Sequence, residues 1–195
     1  MVRSSTPAAL ARTQVPSPWL MSCRYWSRSN VTPMSARAAG VDERTISRQR
    51  QARDAYYQEY LRTEAIEIPG VVEALTELSG HVRMAVVTTA RRVDFDLIHE
   101  KRQLRQLMDF VLTREDYELA KPHPEPYLTG LRRLGATRAE TLVVEDSARG
   151  LQSAVAAGID CAVVHSDFTQ GQDFSHASHR IESLSRLKDI IVTAT

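Results

Sequence analysis

The stretch TLVVEDSARGLQSAVAAGIDCAVV, residues 141–164, decides the fold. Two short, continuously apolar runs rich in valine, TLVV and CAVV, flank a segment that opens at Ser147 and closes at Gly158. Runs of this length read as strands buried on both faces, the kind found in parallel sheets. Ser147 is a good N-cap, and the glycine at 158 is a good stop for the helix between them. The unit is therefore strand, helix, strand.

The same alternation runs outward. Upstream lie a helix carrying Tyr127, Leu131 and Leu134, a proline-rich loop AKPHPEP, a strand DFVLT, a helix RRVDFDLIHEKRQL and a strand VRMAVVT. Before these, VVEALTELSG puts Val71, Leu75 and Leu78 on one helical face. Downstream, a short strand near His179 to Ile181 and a last helix around Leu184 to Ile191 are weaker. Strands separated by helices of this length imply an α/β fold, a Rossmann-like parallel sheet with helices on both faces.

Composition narrows the class further. Of 195 residues, 43% are apolar and 25% charged, with 25 Lys+Arg against 24 Asp+Glu, which suits one ordinary core-bearing domain. A net charge of +1 gives no reason to invoke nucleic acid, and no apolar run is long enough to span a membrane. Two cysteines, Cys23 and Cys161, make neither a disulfide scaffold nor a zinc site and suggest a reducing, cytoplasmic setting.

The charge is unevenly spread. Residues 1–41 hold five arginines and no acid, net +5, which leaves net −4 for the rest. This segment also holds both tryptophans and half of the prolines, without helical or alternating periodicity, so residues 1–40 are left unassigned. An organellar transit peptide, a disordered tail and a non-native N-terminal segment are its three readings. From Asp42, a cap, to Thr63 the pattern becomes helical, with Ala52, Tyr56 and Tyr60 at four-residue intervals and Leu61 beside them as its apolar face. Residues 41–68 form one region, and residues 69–195 form the α/β core.

In an open α/β sheet, ligands sit beyond the carboxyl ends of the strands. There the sequence places Thr88 and Thr89 after AVV, Lys121 in the loop that follows DFVLT, and Glu145 and Asp146 after LVV. Two adjacent carboxylates at a strand end repel unless a hard cation such as Mg²⁺ compensates them; alternatively, they serve the dipole of the next helix. Lys121, in a loop stiffened by three prolines, is a fixed cation suited to phosphate, or else a solvated surface residue. A hydroxyl, a lysine 33 residues later and an acidic pair 24 residues after that form a phosphoryl-transfer constellation without a nucleophile. A two-component receiver domain uses similar groups in the reverse order.

The segments AVVTTARR, AKPHPEPY and VVEDSARGLQSAVAAGI resemble motifs II, III and IV of the haloacid dehalogenase-like hydrolases, in the branch of β-phosphoglucomutase-like and phosphoglycolate phosphatase-like enzymes. The resemblance covers roughly residues 40–192. It implies a HAD-like core with a small helical cap, of which Asp42 to Thr63 is a remnant. It further implies that Thr88 binds phosphoryl oxygens with Thr89 beside it, that Lys121 stabilises a phosphorylated aspartate, and that Glu145 and Asp146 hold Mg²⁺. The activity implied is hydrolysis of a small phosphorylated metabolite, a phosphosugar or phosphoglycolate type of monoester, or the related mutase reaction.

The family's first motif, an apolar strand ending in DxDxT, has no counterpart in this sequence. The nearest string, Asp94-Phe95-Asp96, follows two arginines rather than an apolar strand and falls within a helix, where it is expected to be solvated surface. In the family that strand is central, and its absence leaves a slot in the sheet. The chain is therefore expected to be a truncated or mis-framed member, with residues 1 to about 35 standing where motif I belongs. Two function classes follow: a phosphatase impaired by the missing nucleophile, or a non-catalytic phosphate-binding module or inactive fragment. Among other candidates, His176 and His179 lack a third ligand, His123 reads as a turn residue near Lys121, and Cys161 reads as a core thiol.

Overall fold

The structure, a computed structural model, describes residues 33–64, 70–100, 102–164, 169 and 171–193. The chain divides into two compact units, Met1–Tyr57 and Gln58–Thr195. Most of the unassigned N-terminal segment, and with it Cys23, lies outside the described residues. Its end does not: Pro33–Ala38 forms a short helix, α1, with proline at its first position and Arg37 in its last turn.

Helix α2, Glu43–Thr63, begins where Asp42 accepts the Thr45 amide at 2.9 Å, the expected cap. The expected apolar stripe is buried only at its end, at Leu61 and in part at Tyr60. Ala52 and Tyr56 are exposed, whereas Ile46 and Leu61 are buried. Six arginine, aspartate and glutamate side chains from Glu43 to Asp54 keep most of this helix in water, so only isolated apolar residues find cover.

From α3, Val71–Leu78, the alternation follows the sequence closely. Strand β1 is Ala85–Val87, α4 is Arg92–His99, β2 is Phe110–Leu112 and α5 is Glu125–Leu134. Then come β3, Leu142–Glu145, α6, Ala148–Ala157, β4, Asp160–Val164, β5, His179–Ile181, and α7, Leu187–Thr193. The predicted helix 91–104 is shorter: it stops at His99, and Gln103–Leu107 winds as a separate 3₁₀ turn.

All strand pairs are parallel, in two ladders, β1-β2 and β3-β4-β5. Among the described residues no hydrogen-bond ladder joins β1 to β3. The three-stranded ladder is covered on both faces. Val143, Cys161 and Val163 pack with Tyr127 and Leu131 of α5 and Leu151, Ala154 and Ala157 of α6. Their neighbours Leu142, Ala162, Val164 and Ile181 pack with Leu78 of α3 and Leu187 of α7. Val144, in the middle of β3, nevertheless keeps 40% of its surface in solvent. This is the signature of an edge in a sequence written for burial on both sides.

Helix α5 lies across both ladders. Tyr127 and Leu131 reach the β3-β4 core, and a Cβ on Gly130 would come within 3.3 Å of the Val87 side chain of β1. Both α5 and α6 end on left-handed glycines, Gly135 and Gly158. Gly158 has φ +70°, and a Cβ there would stand 3.3 Å from Arg138 Cδ, whose guanidinium donates to the Ala157 carbonyl. Gly158→Ala is expected to cost about 1–2 kcal/mol from the left-handed backbone alone, read as a lower urea midpoint with an unchanged slope.

Candidate functional site

The site assembles where β1 and β3 end. Strand β3 stops at Glu145 because Ser147 takes over as helix cap, its hydroxyl accepting the Gly150 amide at 3.1 Å. The turn folds Glu145 back over the first turn of α6. A Cβ on Gly150 would lie 1.9 to 2.1 Å from the Glu145 carboxylate, so only glycine leaves this notch open.

Lys121 arrives from the proline-rich loop, where the Lys121–Pro122 peptide is cis. Two groups pin the loop to α6: Ser153 Oγ donates to the His123 carbonyl at 2.7 Å, and Arg149 donates to the Lys121 carbonyl. The Lys121 ammonium donates to the Val87 carbonyl at 2.9 Å and to Glu145 Oε1 at 2.6 Å, and lies 4.5 Å from the ring centre of Tyr127. It thus ties the end of β1 to the end of β3. The side chains of the pair are only 11% and 9% exposed, so this is a buried ion pair, screened little by solvent.

Glu145 is fully engaged. Oε1 also accepts from the Tyr127 hydroxyl, while Oε2 accepts from Ser147 Oγ at 3.1 Å and from the Asp146 amide at 3.3 Å. Burial first, and then the charge of Glu145, push the Tyr127 phenol well above its ordinary value, which keeps it a proton donor. The same two causes, in the same order, raise the Asp146 carboxyl above the usual carboxylate range. Asp146 keeps an open face to water, which limits that rise.

Thr88 is half-buried at the end of β1, and Thr89 is exposed. The Thr88 amide donates to the Leu112 carbonyl at 2.9 Å, and its carbonyl accepts from the Tyr117 hydroxyl at 2.8 Å. Its Oγ1 accepts the Ala90 amide at 3.1 Å. Lys121, Glu145 and Asp146 are thus brought together. Thr88 shares the Val87 strand end with Lys121, and no contact links Thr89 to them among the described residues.

Sequence reasoning missed Tyr127, Tyr117, Arg149 and Gly150 as parts of this site. Only Tyr127 carried a signal, its place six residues after Lys121 on the first turn of α5. His123 is a loop residue, its Nδ1 accepting the Glu125 amide at 3.2 Å, as the turn reading expects. Cys161 is a core thiol, 1% exposed and pushed up to about 12 by burial and then by Glu145.

The Asp94-Phe95-Asp96 string needs correction on one point. Asp94 is not solvated surface: it is 5% exposed, held by Arg91 at 2.8 and 3.0 Å and by Gln58 at 3.2 Å. Asp96 does face solvent, 3.6 Å from Arg105. Two residues apart on a helix, the two carboxylates diverge, one inward and one outward.

For a divalent cation, the oxygen donors of Glu145 and Asp146 are of the right kind, and the raised Asp146 carboxyl marks negative charge that a cation would relieve. The set is short in number. Among the described residues no group of three His, Cys, Asp or Glu side chains could hold a metal ion, His176 and His179 included.

Residues 28–164 match the haloacid dehalogenase-like hydrolase family. The chain belongs to that family. It is 31% identical over 153 residues to protein CbbY of Rhodobacter capsulatus, covering 75% of this chain and 67% of that protein. A HAD-superfamily hydrolase of subfamily IA from Geobacter sulfurreducens shares 29% identity with a TM-score of 0.59, covering 69% of this chain and 65% of that one. A mutant CbbY from Rhodobacter sphaeroides, solved in complex with xylulose-(1,5)bisphosphate, shares the fold, with 24% identity, a TM-score of 0.65 and coverage of 73% and 65%. This HAD-like chain therefore spans about two thirds of the length of these relatives.

Two measurements check the site. Lys121→Met is expected to destabilise the chain by about 3 kcal/mol, because it leaves Glu145 buried and uncompensated, and Lys121→Met with Glu145→Gln should recover most of that loss in urea melts. Asp146→Asn should melt higher than the parent at neutral pH. The folded carboxyl is raised, so its ionisation opposes folding above the ordinary carboxyl range, and the difference between the two proteins should shrink as pH falls through that range.

Proposed function

We propose that this chain carries the phosphate-binding and part of the metal-binding apparatus of a Mg²⁺-dependent phosphatase for a small phosphorylated metabolite, of the phosphosugar or phosphoglycolate type. One observation supports it above the rest: Lys121 stands at the junction of two strand ends, joined to Glu145, with the Thr88 strand end beside it. That is a cation, a hydroxyl donor and a carboxylate pair at the edge where α/β sheets bind ligands. The sugar bisphosphate named with the R. sphaeroides CbbY structure fits the same substrate class.

In this reading the Lys121 ammonium and the Thr88 hydroxyl, with Thr89 at the rim, take the phosphoryl oxygens. Glu145 and Asp146 are the carboxylates that would hold Mg²⁺. When bound, the ion would neutralise charge on the transferred phosphoryl group. A binding phosphate competes with Glu145 for the Lys121 ammonium, so the anion and cation sites are coupled through one ion pair.

The chemical step requires a nucleophile, and we place it on a strand between β1 and β3. The split of the sheet into two ladders and the exposed Val144 on the facing edge support that position. Without such a strand, the second reading applies, a phosphate-binding module without turnover. The Asp94 geometry favours it for this chain, because the one DxD string has a carboxylate locked by Arg91 and Gln58.

Phosphate release from a generic aryl phosphate decides between the two. The 195-residue chain is expected to release no phosphate above an Asp146→Asn control, with or without Mg²⁺. A version carrying a DxDxT strand at its N-terminus should gain Mg²⁺-dependent release, abolished by EDTA. Turnover by the unaltered chain, lost on EDTA addition, would overturn the non-catalytic reading. Failure of the added strand in a folded protein would overturn the phosphatase reading.

A further inference from the structure

Tyr127 belongs to two environments at once. Its ring is 7% exposed and packs in the core with Leu131, Val143, Leu151 and Cys161, so α5 fixes its position. Its outer end reaches the site, where the hydroxyl donates to Glu145 Oε1 and the Lys121 ammonium lies 4.5 Å from the ring centre.

Lys121 has three N–H donors and no acceptor. One goes to Val87 O and one to Glu145 Oε1, while the ring of Tyr127 lies within cation–π distance of the ammonium. A carbonyl or carboxylate in place of that ring would hold the ammonium as strongly as the other two partners do. A π face attracts it more weakly, so the ammonium is steered without being saturated by hard oxygens. The hydroxyl acts on the other member of the pair. By donating to Oε1, it shares the oxygen that Lys121 uses and so weakens the hold of Glu145 on the ammonium.

We infer that Tyr127 is the positioning residue of this site, its ring placing the Lys121 ammonium and its hydroxyl setting how tightly Glu145 retains it. The inference rests on the phosphate-binding reading for its purpose, though not for its geometry. The residue touches no reacting atom; it acts through Lys121 and Glu145.

The chain has three lysines, Lys101, Lys121 and Lys188, so selective ¹³C-lysine labelling gives three resolvable Cε–Hε resonances in the intact protein. The Lys121 protons are expected to be shifted upfield by the Tyr127 ring, apart from the other two. That shift should persist in Tyr127→Phe and collapse toward the Lys101 and Lys188 positions in Tyr127→Leu. Titrated with inorganic phosphate, Tyr127→Phe should bind roughly 3- to 10-fold more weakly than the parent, because Glu145 without its phenol donor holds the ammonium harder. A Lys121 resonance without a ring shift in the parent overturns the inference, and so does a phosphate affinity unchanged in Tyr127→Phe. These two readings keep it open to refutation even if Tyr127→Leu does not fold. If phosphate moves no lysine resonance in the parent, the phosphate-binding reading fails, and the ring shift with its loss in Tyr127→Leu decides the positioning role alone.

Discussion

The Lys121–Glu145 ion pair is the constraint on which the rest of the site depends. A buried charge is tolerated only when it is compensated and hydrogen-bonded, and here each partner supplies that condition for the other. The requirement reaches outward. Lys121 must come from a stiffened loop pinned by Ser153 and Arg149, and Glu145 needs the notch at Gly150 and the cap at Ser147. Tyr127 then needs α5 where it is, across both ladders. A single pair thereby couples β1, β3, α5 and α6.

On the phosphatase reading proposed above, the cation that would take a phosphate and a carboxylate that would take a metal ion neutralise each other. Asp146, one residue on, is raised instead, by burial first and then by the charge of Glu145, and its open face to water limits that rise. Of the acidic pair, Glu145 is held by Lys121 and Tyr127, while Asp146 carries a charge that its neighbour opposes. Like charges held close at a strand end oppose folding unless they are neutralised.

Much of the fold was legible because its signals are local. Ser147 and Gly158 bound α6 by capping chemistry, Asp42 opens α2, and the short valine-rich runs between helices are strands whose alternate residues pack on the two faces of the sheet. Where local signals failed, a tertiary fact had intervened. The stripe Ala52, Tyr56 and Tyr60 has helical spacing, yet spacing says nothing about whether a partner face exists, and Ala52 and Tyr56 are left in water. Asp94 has the composition of surface, yet Arg91 and Gln58 take it inside. Long-range pairing of polar groups leaves no periodic trace.

The sequence by itself determined the α/β class, the parallel sheet, the family, and the place of Thr88, Lys121, Glu145 and Asp146 after their strands. The family rests on the resemblance of three motifs, and the others on residue type and spacing along the chain. Only the tertiary structure decided that the ladders part between β1 and β3, that Lys121 bridges the two strand ends, and that Tyr127 stands behind it. Those are distances between residues 18 to 34 positions apart in the chain. Such distances follow from how helices pack on the sheet, and no local propensity encodes them.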